Sequence, residues 1–231
     1  MTIPIETNTV LLDSIPCEND ATAFLRVIEI PPESDLTAEA AALFEEAIAL
    51  AQPKAVYRIA FIDQKLTDSA LVDGVELCSH ILRVNLEPVE RLFPFIATCG
   101  MELEEWSHTK TDPLVRFWAD SLKELLLRQA YTHCARHLKT HHNPGKTITM
   151  TPGSLEDWPI QEQKKIFTLL AAGAQAIDVR LNDSFLMIPT KSLAGVWIPS
   201  EKDFVNCKLC PRENCSGRQA QYDPEYYPHN Y

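Results

Sequence analysis

The chain has 231 residues, 45% of them hydrophobic, enough to bury one substantial core as a single domain. Its 32 acidic and 21 basic side chains leave a formal net charge of -11, which opposes condensation onto nucleic-acid phosphates or anionic lipid. The start lacks a basic stretch before an apolar one, and no run of about 18 apolar residues occurs; the expectation is a cytoplasmic protein with no membrane span and no nucleic-acid partner.

In chain order, residues 23–30 (AFLRVIEI) alternate and are β-branched enough to predict a strand, stopped by Pro31 and Pro32. A helix follows, with Thr37 at its cap, Ala40, Phe44, Ala47, Ile48 and Ala51 on one face, and Pro53 marking its end. Residues 56–62 (VYRIAFI) predict a buried strand, and residues 92–98 (LFPFIAT) another, leading into a turn at Cys99 and Gly100.

Asp112 and Pro113 supply the cap and first-turn proline of the longest helix, over residues 114–140. Its core stripe is Leu114, Trp118, Leu122, Leu126, Ala130, Cys134 and Leu138, broken by Asn143, Pro144 and Gly145. A strand at 146–150, a turn at Pro152 and Gly153, and a helix starting at Asp157, Trp158 and Pro159 and ending before Gly173 come next. Short strands at 177–180, 185–188 and 193–198 complete a mixed α/β (α+β) reading, mainly antiparallel because the last connections are too short for crossover helices. Beyond Glu201 the chain turns polar and proline-rich.

The most explicit chemistry is Cys207, Cys210 and Cys215, a Cys-x2-Cys-x4-Cys run in a loop-like context. The two-residue gap lets two thiolates turn toward one ion, and the third can return as the loop folds over. Structural zinc would need a fourth ligand, such as Cys99, His229 or a partner's side chain; an iron–sulfur cluster would leave one iron open; the bland alternative is three reduced thiols in a surface loop. Cys17, Cys78, Cys99 and Cys134 read as ordinary buried thiols.

His133, His137 and His141 fall on adjacent turns of one helix face and can pinch a divalent ion, although histidines near a helix C-terminus more often favour its dipole and stay solvated. Glu102, Glu104 and Glu105 read as a solvated first turn. Lys146 and Thr147 follow Gly145, but Thr140 stands where a phosphate-binding loop needs its first glycine. Neither a Gly-x-Ser-x-Gly elbow nor a Gly-x-Gly-x-x-Gly fingerprint occurs.

Four ordered segments carry a resemblance: residues 53–58 (PKAVYR), 97–103 (ATCGMEL), 151–153 with 157–159 (TPG and DWP), and 187–195 (MIPTKSLAG). Together, over most of residues 24–198, they resemble the activation (reactivation) domain of cobalamin (vitamin B12)-dependent methionine synthase and its free-standing relatives. The resemblance implies a twisted, mainly antiparallel sheet flanked by helices over residues 1–200, with a cysteine-cluster tail, residues 201–231, packed on it. It also implies a domain that binds S-adenosylmethionine and presents its methyl group to cobalamin carried by a partner, a corrinoid protein or cobalamin-dependent methyltransferase. An electron donor of the flavodoxin type completes that reaction.

The family's methyl-donor loop reads Arg-x-x-x-Gly-Tyr. The matching residues are Thr149, Met150, Thr151, Pro152, Gly153 and Ser154, so Thr149, Thr151, Pro152, Gly153 and Ser154 are the implied cofactor-binding positions. Thr149 replaces the arginine and Ser154 the tyrosine; Lys146, Lys191 or Arg180 are the cations able to compensate. Three readings stay open: a reactivating enzyme component whose cysteine run delivers an electron, a non-catalytic corrinoid- or corrinoid-protein-binding module with a structural metal, and an unrelated small-molecule pocket around Gly153 and Gly195.

Overall fold

The computed structural model describes residues 7–202, 204–214, 218 and 220–226. In chain order the first half forms β1 (Thr9–Leu12), α1 (Ala21–Val27), α2 (Thr37–Leu50), β2 (Lys54–Arg58), β3 (Ala60–Lys65), β4 (Ser69–Val72), β5 (Val75–Cys78) and α3 (His80–Asn85). The second half forms β6 (Arg91–Thr98), α4 (Met101–His108), α5 (Pro113–His142), β7 (Thr147–Met150), α6 (Gln163–Leu169), α7 (Ala171–Ala176), β8 (Arg180–Leu181), β9 (Met187–Ile188) and β10 (Ser192–Pro199).

The apolar run of β6 is buried on both faces, and the sheet is built around it. One edge of β6 pairs antiparallel with β10, which in turn pairs with the edge strand β7. The other edge takes β2 along its second half and β3 along its start. β1 closes one side on β2, and β4 and β5 continue from β3 as a meander, so eight strands make the main sheet.

Alternation sorts the two faces. Ala55, Tyr57, Phe93, Phe95, Ala97 and Trp197 pack against Ala130, Cys134 and Leu138 of α5. Val56, Ile96, Ile148, Met150, Val196 and Ile198 join Ile166, Leu169 and Ala174 of α6 and α7 on the opposite face. A third apolar cluster ties α1, α2 and α4 to the first half of α5.

Several expectations are corrected. Residues 23–30 are largely helix, not strand: Asp20 caps α1 by accepting from the Ala23 N–H at 3.0 Å, and Phe24 stacks on Phe44 with centroids 5.7 Å apart. Phe24 and Ile28, four apart, both reach the helical cluster. Thr37 does not cap α2; its hydroxyl donates to the Pro31 carbonyl at 2.9 Å.

The strand expected at 56–62 is two strands meeting at Ile59. A 3-10 turn, Ile160–Glu162, precedes α6, and α7 continues through Gly173, where a Cβ would lie 2.5 Å from Val56 Cγ2. Asp157 serves α3 instead, accepting from the N–H groups of His80 at 3.2 Å and Ile81 at 3.0 Å and from the Ser79 hydroxyl. Among the described residues, no helix is long and apolar enough to cross a membrane.

Candidate functional site: the 149–154 turn and the cysteine tail

The end of β7 is held by close backbone approach. A Cβ on Gly195 would stand 2.5 Å from the Met150 carbonyl oxygen and 2.8 Å from Thr151 Cγ2, so glycine is what lets β7 lie against β10 here. Trp197, opposite Thr149 in register, stacks on Phe95 at 3.9 Å. The Trp197 indole N–H donates to the Tyr131 hydroxyl at 3.2 Å, and that hydroxyl lies 3.0 Å from Thr149 Oγ1. Thr149 is thus an anchor between sheet and α5.

The chain then turns. Pro152 is buried, and Gly153 is exposed at φ +82° with its N–H donated to the Trp158 carbonyl at 2.7 Å. The hydroxyls of Thr151 and Ser154 are 2.5 Å apart. Trp158, fully buried, packs in the core beneath.

The tail returns to this turn. After β10, Phe204 buries itself in the α6/α7-side core, with Leu209 and Tyr226 half-buried against it. The Asn206 amide donates to Thr151 Oγ1 at 3.3 Å. Asn206 opens a 3-10 turn, Asn206–Lys208, so Cys207 is the next residue and Cys210 follows on the same run of i to i+3 contacts, its N–H 3.4 Å from the Cys207 carbonyl. The structure therefore brings Asn206, the residue before Cys207, to the Thr151 and Ser154 hydroxyls of the turn. Cys215 and His229 lie outside the described residues.

Arg218 fastens the segment. Its guanidinium donates to the carbonyls of Cys207 and Cys210 at 3.3 Å, of Ala220 at 3.0 Å, and of Arg212. Among the described residues no three His, Cys, Asp or Glu side chains stand together as a metal site. Cys99, a fourth ligand the sequence offered, is fully buried in the helical cluster, and burial pushes its thiol up to about 12. Cys134 is likewise buried, whereas Cys78 is exposed and Cys17 half-buried, against the expectation that all four are interior.

Two of the three histidines expected on one face of α5, His137 and His141, make local contacts. His137 Nδ1 is 3.0 Å from the Tyr57 hydroxyl, and His141 Nδ1 donates to the His137 carbonyl at 2.9 Å while the two rings stack at 3.9 Å. Burial, then the neighbouring histidines, hold His137 below the usual imidazole range.

Beside the start of β10 lies a charged group that sequence reading missed. Glu104, read as solvated, is 4% exposed, and its Oε2 is 3.1 Å from Lys123 Nζ, a lysine 5% exposed. The Thr190 hydroxyl donates to the same carboxylate oxygen at 2.8 Å. Burial acts to raise the Glu104 pKa, but the Thr190 and Lys123 hydrogen bonds outweigh it and keep the carboxyl below its usual range. The available signal was Lys123 itself, a charge on the inward stripe of α5 between Ala119 and Leu126.

Near this pair three of the four segments that carry the resemblance meet. The Cys99 N–H donates to the Lys191 carbonyl at 3.1 Å, the Ser192 hydroxyl to Thr98 Oγ1 at 2.9 Å, and Lys54 Nζ reaches Glu102 at 3.2 Å. Of the cations able to compensate for Thr149, Lys191 is held by Asp120 at 2.8 Å and Glu124 at 3.3 Å. Lys146 donates to the Glu201 carbonyl at 3.3 Å, and Arg180 borders an open depression of about 390 Å³ beside α6 and α7.

No protein-family model matches the sequence, and no curated protein matches it. Solved structures do match. One is the crystal structure of the MetH reactivation domain bound to AdoHcy, with a TM-score of 0.62 and 14% identity over 90% of this chain and 84% of that one. The likeness is one of fold: a mixed α/β domain with an antiparallel sheet flanked by helices.

Proposed function

We propose that the chain acts on a corrinoid protein in cobalamin-dependent methyl transfer, helping to return cob(II)alamin on that partner to its methylated state. The observation that supports this most is the fold shared with the MetH reactivation domain across 90% of the chain. Overall, cob(II)alamin takes up one electron and a methyl cation from a sulfonium, giving methylcobalamin and a neutral thioether. AdoHcy, bound in that neighbour, is the thioether that S-adenosylmethionine leaves behind. The bond-making belongs to the corrinoid and the sulfonium, and the protein contributes docking and orientation.

The 149–154 turn offers hydroxyls and backbone groups to a ligand, with no guanidinium at Thr149 and no phenol at Ser154. It does not reproduce the donor set that the family resemblance implies, so no chemical step is assigned to it. A second reading, a non-catalytic corrinoid- or corrinoid-protein-binding module, is favoured by one observation: the Thr151 hydroxyl is already engaged by Ser154 and Asn206. In either reading the thiols of Cys207, Cys210 and Cys215 enter as ligands of a metal or an iron–sulfur cluster.

The test is anaerobic mixing with a cob(II)alamin-loaded corrinoid domain, a flavodoxin-type reductant and S-adenosylmethionine. Faster conversion of the cob(II)alamin spectrum to that of methylcobalamin supports the first reading. Calorimetric binding to the corrinoid domain with an unchanged rate supports the second. Absence of both removes the two together.

A further inference from the structure

We infer that Cys78 is a modification site: a surface thiolate held by Lys165 and Glu162, which a hydroperoxide oxidises and a small thiol then caps as a mixed disulfide. This goes beyond the corrinoid proposal and does not rest on it. Cys78 is the last residue of β5, where its neighbour Leu77 is buried and Cys78 itself is exposed. Its Sγ is 3.1 Å from Lys165 Nζ, and its N–H donates to Glu162 Oε2 at 3.0 Å. The other oxygen of that carboxylate lies 2.9 Å from Lys165 Nζ. Thiol, ammonium and carboxylate thus close a ring of contacts between the end of β5, the 3-10 turn that carries Glu162, and the first turn of α6.

The thiolate, not the thiol, is the nucleophile, and an ammonium beside the sulfur favours it. Lys165 supplies that ammonium: burial acts to lower its pKa, but the Glu162 and Cys78 hydrogen bonds outweigh it and hold the amine above its usual range. With 30% of the Lys165 side chain and 14% of the Glu162 side chain exposed, water and salt screen the group less than an open surface pair. The other described cysteines differ. Cys99 and Cys134 are buried and Cys17 is half-buried, and burial pushes all three thiols up. Cys207 and Cys210 are half-buried, with Arg218 bonded to their carbonyl oxygens. Access and a neighbouring ammonium come together at Cys78.

The Cys78 thiolate attacks one oxygen of the hydroperoxide. An S–O bond forms, the O–O bond breaks, sulfur gives two electrons to the peroxide, and the second oxygen leaves as water or an alcohol with a proton from solvent. The product is a sulfenic acid. A small thiol then attacks that sulfur: the S–S bond forms, the S–O bond breaks, and the oxygen leaves as water with the incoming thiol's proton. Sulfur carries no charge in either product, so Lys165 keeps Glu162 as its anion and loses the sulfur end of the ring.

The experiment uses the full chain, reduced and then freed of reductant, with limiting iodoacetamide across a pH series and peptide mass spectrometry to read each cysteine separately. At neutral pH Cys78 should be alkylated at least about tenfold faster than Cys17, Cys99 or Cys134, and faster than the same peptide free in solution. Lys165→Met should slow Cys78 at least about fivefold and move its pH profile upward, while Lys165→Arg restores most of the rate and Cys17 is unchanged in both. Stoichiometric hydrogen peroxide trapped with dimedone should place the adduct on Cys78, and glutathione in place of dimedone should leave a reducible mixed disulfide there. Continued protection of Cys134 reports that each variant is folded. Alkylation of Cys78 at the rate of the free peptide overturns the site. So does a rate unchanged by Lys165→Met with Cys134 still protected, or a dimedone adduct on another cysteine. None of these readouts involves a corrinoid, so either proposal can fail alone.

Discussion

Two regions along β10 solve opposite problems. At its start, Glu104, Lys123 and Thr190 form a charged group sealed from solvent, in which each ion is satisfied by the other. Near its middle, the 149–154 turn is neutral, built from hydroxyls, a glycine and an arriving tail. A buried pair with both charges present is tolerated, but neither partner can leave without stranding the other. A neutral turn can exchange partners at little cost, because each hydrogen bond contributes only about 1 kcal/mol net. The first region fixes where β10 begins; the second is the place where contacts can change.

The largest way to break this contrast is Lys123→Ala, expected to lower unfolding free energy by about 3–5 kcal/mol, because Glu104 is left buried and unpaired. Urea unfolding checks it, and the Glu104→Gln/Lys123→Met pair should recover most of the loss. Acid probes the same site with a defined sign. The folded Glu104 pKa lies below its unfolded value of about 4.3, so its contribution is complete above that pH and is lost as pH falls through the lower folded value. The melting temperature should fall more steeply below about pH 4.3 in wild type than in Glu104→Gln.

A middle-sized effect is expected where the turn depends on shape. Gly195→Ala places a Cβ against the Met150 carbonyl and Thr151, costing about 1–3 kcal/mol and loosening β7. Amide exchange along Thr147–Met150 should rise more than exchange along β6. The smallest effect is Asn206→Ala, at about 0.5–1.5 kcal/mol. It should leave the melting temperature nearly unchanged while speeding proteolysis of the tail. If Asn206→Ala destabilised the domain as much as Lys123→Ala, the distinction between a sealed end and an exchangeable turn would be lost.

Much of the architecture was legible from periodicity. The α5 stripe reads directly as a helix buried along one side from Trp118 to Leu138, although Leu114, expected to begin it, is exposed, and Leu92 to Thr98 reads as an interior strand. The 23–30 segment misleads because its alternation is compatible with a strand; its helix depends on the Asp20 cap and on Phe44, a residue distant in sequence. The β4/β5 hairpin carried an unused local signal, Asp73 and Gly74 at positive φ between two short runs.

The candidate site was legible only in part. Thr149, Thr151, Pro152, Gly153 and Ser154 do form a turn at the end of β7, and Cys207 and Cys210 do share one local turn. That these two features touch is carried by the Asn206 to Thr151 hydrogen bond across 55 residues, which no spacing rule contains.

What the sequence determined alone was what repeats at short range: the helical and strand periods, the Pro and Gly breaks, the acidic balance and the cysteine spacing. Those depend on neighbours a few residues apart. The tertiary structure decided what depends on long-range burial. Glu104 is acidic in the first turn of α4 whether solvated or sealed, and it is the arrival of Lys123 and Thr190 that makes it an interior ion. In the same way Asn206 is an ordinary polar residue until chain closure places it on Thr151, because desolvation and partner choice are properties of the packed chain.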